Sequence, residues 1–435
     1  FTEKQKKAIA EAEANMVHLN EMIENVENME LPNSQFFLWH TWFHDVFSRP
    51  SKEGFDIVIG NPPYFKYEGS HKEEINTLKK QPFLQIAFGG KLNAYKLFLA
   101  LAVKYLTRPN GIISYIFQNS FMGDLQAYNL RKAVICENQP LIIDSFPERD
   151  SKKKRVFESV KMSVCIVVIK ATNTDKPFVV NFWDDKNKSL GTQTSFTRKD
   201  IIEIDSSSCT IPRIEKEHKG LVIKLKTFDS LPLKCYEGEL NMTFHKKYFS
   251  EDKCNPKILK GASIQRYYIT EKMSQGEIEY LNENAYLEDN SGEKTEHHKF
   301  ERVAMQGMTG ANDKIRIIMS IVPVGFYLAN SCNYLIPNVD LPTKYLVGLM
   351  NSKVINWFFR RFSTNSNVNG YEVESFPIPK ATKQEKETIA SKVDEILKIK
   401  GISVNADTKP IENEIDCIVY KLFGLSEEEI SIVEG

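Results

Sequence analysis

The feature that most restricts this chain is a run of ten residues, Phe55-Asp56-Ile57-Val58-Ile59-Gly60-Asn61-Pro62-Pro63-Tyr64. The first six read as a short buried strand that stops at a glycine. Two successive prolines then fix φ and remove two backbone donors, so the chain must leave the sheet as a stiff loop. The residues that follow alternate in type. Asn93 to Leu106 reads as a helix with Leu97, Phe98, Leu101, Ala102 and Tyr105 on one face, and Arg108-Pro109-Asn110-Gly111 as a turn. Ile112 to Phe117 reads as a second buried strand and Leu125 to Cys136 as a helix. Leu141 to Phe146 and Val164 to Lys170 complete a set of four strands. Such alternation implies an α/β sheet with a largely parallel core.

The chain has 435 residues, enough for about two to four domains. Residues 2–30 are rich in Lys, Glu, Ala and Asn, with Ile9, Val17, Leu19, Met22, Ile23 and Val26 at helical spacing, and read as a connector helix within 1–30. Leu31-Pro32-Asn33-Ser34 breaks it, and an aromatic stretch from Phe36 to Phe47 follows. His40 and His44 stand four apart, but no Glu completes an HExxH pattern, so packing is expected and no metal. After Lys170 the alternation fades into short strand-like runs with polar loops, which reads as an α+β domain. The expected domains are 31–185, 186–382 and a C-terminal helical segment 383–435, with helices at 383–400 and from Ile411 to Phe423.

The Asn-Pro-Pro-Tyr loop carries a specific chemistry. An exocyclic amine of a nucleobase is a poor nucleophile because its lone pair is delocalised into the ring. The Asn61 side-chain oxygen and the Pro62 carbonyl can each accept one N–H of such an amine. They would hold its nitrogen towards tetrahedral geometry and favour the charge that develops during transfer. Tyr64 offers a flat face for the base. A base inside a duplex must first be flipped out, at a cost of a few kcal/mol. Stacking at about 1–3 kcal/mol per face offsets that cost, so a second aromatic wall is expected.

From Phe55 to Lys170 the sequence resembles TaqI-type adenine-N6 DNA methyltransferases and the related fused Type II restriction–modification enzymes. The resemblance runs through the ten-residue motif, Gly90-Lys91-Leu92-Asn93-Ala94-Tyr95-Lys96-Leu97-Phe98-Leu99, Asn110 to Ile116, and Val156-Phe157-Glu158-Ser159-Val160-Lys161-Met162-Ser163. It implies catalytic roles for Asn61, Pro62 and Tyr64, and it makes Phe157 the wall opposite Tyr64. It also implies a fold: the second half of a Rossmann-like methyltransferase sheet, followed by an α+β target-recognition domain and C-terminal helices. Looser echoes of target-recognition domains occur at 261–267, 325–331, 349–353 and 376–379, and 419–425 resembles the tail of fused enzymes. The family's glycine-rich S-adenosylmethionine loop should precede Asn61, and none does. With Phe1 as first residue, a truncated chain is expected. Its methyl-donor site would lie largely outside, with N-terminal methyltransferase segments, and a nuclease segment if the parent is a fused enzyme, on the same polypeptide.

Net charge is zero, with 57 Lys+Arg against 57 Asp+Glu, so any double-stranded DNA surface must be a local basic face. Lys152, Lys153, Lys154 and Arg155, just before Phe157, are the first candidates for phosphate contacts. Arg266, Arg302, Lys314, Arg316, Arg360 and Arg361 are further candidates, with Asn365, Asn367 and Asn369 for base readout. No nuclease site stands out. Seven scattered cysteines without a CxxC pair suit a reducing cytoplasm, and no apolar run of about 18 residues points to a membrane. The alternative expectation is that the truncated chain acts as a DNA-binding specificity module without catalysis.

Overall fold

The computed structural model describes residues 39–149, 151–184, 190–272, 277–310, 313–363 and 366–435, with most of 5–20. The chain falls into two units, Phe1–Phe55 and Asp56–Gly435. In the first unit the described residues between 5 and 20 are helical and exposed. The rest of the expected connector helix, with Met22, Ile23 and Val26, the break at Pro32 and the start of the aromatic stretch at Phe36, lies outside the described residues. Phe43 and Phe47 pack edge-on against Phe55, at 5.0 and 5.6 Å between ring centres. His40 rests on Phe47 at 4.4 Å, and His44 Nε2 pairs with Ser48 Oγ at 3.1 Å.

The second unit begins with a six-stranded sheet. Its strands are β1 (Phe55–Gly60), β2 (Thr107–Gln118), β3 (Gln139–Phe146), β4 (Val164–Lys170), β5 (Phe178–Trp183) and β6 (Leu190–Phe196), in the order β1-β2-β4-β3-β5-β6. Burial alternates along β2 from Gly111, as the period of a strand requires. Ile113, Phe117, Ile143, Val167, Ile169 and Val180 form the dry centre. β4 is antiparallel to both β2 and β3, β5 is parallel to β3, and β6 is antiparallel to β5. The expected largely parallel core is therefore corrected to a mixed sheet. Among the described residues, the β3–β4 connection holds only a short turn, Lys152–Lys154, and no crossover helix. A chain that doubles back without a crossover must return antiparallel, and β4 slots between β2 and β3. The sheet also runs on to Phe196, past the expected boundary at 185.

Three local expectations change. Arg108–Gly111 lies within β2 instead of forming a separate turn, and Asn110 takes φ +63, a left-handed conformation that Asn tolerates. The helix Ala94–Leu101 is capped by the Asn93 side chain, which accepts from Tyr95 N, and a π turn, Ala102–Leu106, extends it. Its core stripe is Tyr95, Leu99, Ala102 and Leu106, and Phe98 of the expected face stands exposed. The segment is apolar nearly all round, so packing and not pattern chose the face. β1 is an edge strand among the described residues and is not buried: Ile57 is 63% exposed and Ile59 76%.

Beyond residue 230 come two four-stranded sheets. One runs Met319–Val322, Arg302–Gln306, Cys332–Leu335, Cys235–Glu237, with every neighbour antiparallel. The other runs Tyr327–Leu328, Lys257–Leu259, Glu279–Leu281, Phe249–Ser250. The sequence echoes at 261–267 and 325–331 interlock. A side chain on Gly238 would collide with the Ala329 carbonyl, and one on Gly261 would lie 2.6 Å from the Ser331 carbonyl, whose own hydroxyl accepts from Gly261 N. The echo at 349–353 has a similar cause: buried Asn351 exchanges two 3.0 Å bonds with the Met319 backbone, and Ser352 caps the helix Lys353–Phe362. Thr382 and Glu385 form a capping box on Lys383–Ile402, which precedes helices Lys409–Leu422 and Glu427–Glu434. No helix among the described residues is long and apolar enough to cross a membrane.

Candidate active site

β1 delivers Asn61 to solvent while Pro62 is buried. The Asn61 side chain makes no hydrogen bond among the described residues, so its amide oxygen is an open acceptor on a stiff loop. The loop is anchored downstream. Tyr64 donates its hydroxyl to the Ile116 carbonyl at 3.0 Å, Ala94 N donates to Phe65 O at 2.9 Å, and Tyr67 N donates to Leu92 O at 2.9 Å. Burial of the half-covered Tyr64 phenol pushes its pKa up to about 12, so it remains a donor at neutral pH.

Phe157, some ninety residues away in sequence, meets Tyr64 edge to face, with ring centres 5.9 Å apart and 63° between planes. The two aromatics expected to flank a base are thus brought together, in contact with each other. A base between them needs parallel rings two van der Waals gaps apart, about 7 Å, so accepting one requires a ring to swing.

A polar cleft of about 450 Å³ is lined by Lys66, two residues past Tyr64, and by Lys161, Met162 and Ser163, which follow Phe157 in sequence. Its floor carries Lys66, Lys91, Asn93, Lys96 and Gln118, and Asn367, Asn369 and Tyr371 of the later part of the chain also line it. The Gly89-Gly90 turn has φ +150 and +103, which favours glycine, and at Gly90 a Cβ would lie 2.8 Å from Gln126 Cγ. The turn lets Lys91 N donate to Gln126 Oε1 at 2.9 Å. Lys96 is buried, donates to the carbonyls of Lys91 and Gln126 at 3.1 and 2.6 Å, and has its pKa lowered by that burial. Asn93 Nδ2 donates to Gln118 Oε1 at 3.0 Å. Sequence reasoning did not single out Lys66, Asn93 or Lys96 as site residues, although two of them lie in the 90–99 segment and the third is two residues past Tyr64.

Behind Asn369 and Tyr371, burial raises the Glu372 carboxyl to about 7, against two opposing bonds from Asn369 N and Nδ2 at 2.9 and 2.8 Å. Arg131, also missed, is fully buried and donates to the carbonyls of Ser208, Phe121 and Asp124, tying the 3-10 turns after β2 to a later loop.

The expected cationic contacts divide. Lys152, Lys153 and Lys154 are exposed on their turn, and Arg155 Nε donates to Arg149 O at 2.7 Å. Lys314 is exposed. Arg316 is not on a surface at all: it is 2% exposed and donates to Thr309 Oγ1, Ser363 Oγ and Asn367 O. Burial lowers its pKa to about 10. Arg302 is fully buried against Glu239, and Arg266 is paired with Glu412. These three arginines hold the fold together, because their partners come from remote segments that the sequence does not mark. Arg360 and Arg361 are half-buried. Asn367 and Asn369 reach the cleft, and Asn365 lies outside the described residues. Among the described residues no group of three or more His, Cys, Asp or Glu is placed to hold a metal ion.

Comparison with known proteins places these features in context. Residues 2–151 match the family model for the Eco57I restriction-modification methylase, and residues 256–378 match the TaqI-like C-terminal specificity domain. No curated protein matches in sequence. Among solved structures, the Type IIL restriction-modification enzyme MmeI in complex with DNA is similar over 86% of this chain and 55% of its own, at 12% identity and a TM-score of 0.52. The DrdV–DNA complex is similar over 81% of this chain and 45% of its own, at 10% identity and a TM-score of 0.45. The chain thus spans about half the length of the structures it matches.

Proposed function

We propose, from the premise that this chain belongs to the restriction-modification methylases and joins an Eco57I-type methylase segment to a TaqI-like specificity domain, that it is the acceptor half of a site-specific DNA methyltransferase acting on adenine N6. The observation that carries this reading is the open Asn61 amide on a proline-stiffened loop, together with the aromatic pair and a cleft lined by both parts of the chain. Asn61 Oδ1 and the Pro62 carbonyl accept the two N–H groups of the flipped adenine. Tyr64 and Phe157 part to stack on its faces. The exposed Lys152, Lys153 and Lys154 meet phosphates of the double-stranded DNA.

The methyl group is supplied by S-adenosylmethionine when it is bound. Asn61 and Pro62 fit the acceptor amine, and no glycine-rich loop for the donor precedes them. A second reading, a DNA-binding specificity module without catalysis, is favoured by the exposed Ile57 and Ile59 of β1 and by the closed Tyr64–Phe157 contact.

The test is methylation of plasmid DNA by the full-length parent, read by modification-sensitive sequencing. N6-methyladenine at a defined sequence is expected, and its absence would sink the reading. Asn61→Ala should slow methylation by about 10²–10³-fold while DNA binding persists. Full activity in that variant would remove Asn61 from the site.

A further inference from the structure

A second, smaller cavity of about 50 Å³ lies where β2, β3 and β5 end. Asn119, Pro147 and Trp183 mark those strand ends, and Arg213 and Arg361 close the space. It has room for a group of a few atoms. Ser163 and Glu148 line both this cavity and the polar cleft, so the two spaces are neighbours.

The charge here is unusual. Arg213 N donates to the Arg361 carbonyl at 2.7 Å and Arg361 Nη1 donates to the Arg213 carbonyl at 3.4 Å, so backbone and one guanidinium nitrogen hold the two arginines together. The Arg213 guanidinium sits 5.7 Å from the Phe182 ring and that of Arg361 4.8 Å from the Trp357 ring. The Nε of Arg361 is buried with no hydrogen-bond partner. Arg149 and Arg360 add like charge to Arg213. The nearby acids are few: Asp184 acts on Arg213 and lies 3.6 Å from Arg149, Glu148 lies 3.4 Å from Lys161, and Glu215 is near Arg361. Burial and the neighbouring arginines lower the Arg361 pKa to about 10. Packing like charges out of water is costly unless an anion joins them.

We propose that Arg213 and Arg361 bind one phosphodiester of the DNA strand whose base enters the neighbouring cleft. The unpartnered Arg361 Nε and the Arg213 guanidinium offer donors for two phosphate oxygens. Ring faces hold both side chains in place, so little side-chain entropy is lost on binding. The assignment rests on the reading of this chain as part of a DNA methyltransferase. It adds a position on the strand: a phosphate fixed at the ends of β2, β3 and β5 sets the register of the base at Asn61.

The experiment measures binding of a 30-base-pair duplex of mixed sequence to the 435-residue chain over a range of salt. Arg213→Gln and Arg361→Gln are compared with the parent chain and with Arg361→Lys. Loss of one phosphate contact should flatten the slope of log K against log salt by about 0.9 in each Gln variant, and Lys should recover part of it. In parallel, melting of the parent chain is followed as inorganic phosphate replaces chloride at constant ionic strength. Phosphate should raise the melting temperature of the parent and not that of the Gln variants. Unchanged slopes overturn the proposal, as does a parent chain whose melting ignores phosphate, even if the variants fold too poorly to assay. A phosphate response with unchanged slopes would mean an anion site off the DNA path, and also overturns it. A parent chain that binds no DNA would instead refute the methyltransferase reading, and the phosphate titration would still decide whether the anion site exists.

Discussion

The sheet region, 56–196, and the later region, 235–378, differ in what becomes of the polar residues that stand out in the sequence. Around the sheet, Asn61 has no partner among the described residues and three lysines stand exposed at 152–154, while buried Lys96 and Arg131 are spent on backbone carbonyls. In the later region Arg302 is consumed by Glu239 and Arg316 by Thr309, Ser363 and Asn367, although Arg361 keeps an unpartnered Nε. A cation in sequence is therefore evidence of ligand contact only after its internal partners have been counted. The reason is energetic: a buried guanidinium must be paired, whereas an exposed ammonium is free to meet a phosphate.

This contrast can be broken or sharpened by substitution. The largest effect is expected for Arg302→Ala, which strands Glu239 as a buried charge and should cost about 3–5 kcal/mol in urea unfolding. A loss under about 1 kcal/mol would show that the pair does not anchor its sheet. Phe157→Ala should leave folding nearly unchanged. In the full-length parent it should lower kcat/KM for methylation by about tenfold to hundredfold, the worth of one stacked face.

Glu372 gives a smaller, pH-dependent effect. Its carboxyl is held at about 7 in the folded chain against an ordinary value of 4.5, so the folded state binds the extra proton between those values. Stability from this group is fully present below pH 4.5 and is lost as pH rises through 7. Glu372→Gln, which keeps an acceptor for Asn369, should flatten that decline in melting temperature. A decline of the same size in the variant would assign it to other groups. The smallest stability change, within about 0.5 kcal/mol, is expected for replacing Lys152, Lys153 and Lys154 together by Ala. The same variant should show a weaker salt dependence of DNA binding, and an unaltered slope would remove the turn from the DNA surface.

Much of the sheet was legible because its strands and helices carry their periods openly. β4 matches Val164–Lys170 residue for residue, and the helix expected from Asn93 starts there, with Asn93 as its cap. Strand direction was not legible, because alternation says which residues face inward and nothing about which way the neighbour runs. The pairing of Tyr64 with Phe157 came from family resemblance, since no local pattern links residues so far apart. Lys96 and Arg131 were missed because their partners are backbone carbonyls, which every sequence supplies and none advertises. The helix Glu427–Glu434 falls inside the expected helical segment 383–435, and its start is marked by Ser426 and Glu429 in a capping box.

The open flank of β1 has a practical consequence for anyone producing the chain. A six-residue strand that is an edge among the described residues, with Ile57 and Ile59 exposed, is a template for pairing with a second copy. In concentrated solution, sheets of two molecules would join edge to edge and seed precipitation. A lysine at position 59 would act as a gatekeeper there, improving yield without touching the loop that begins at Asn61.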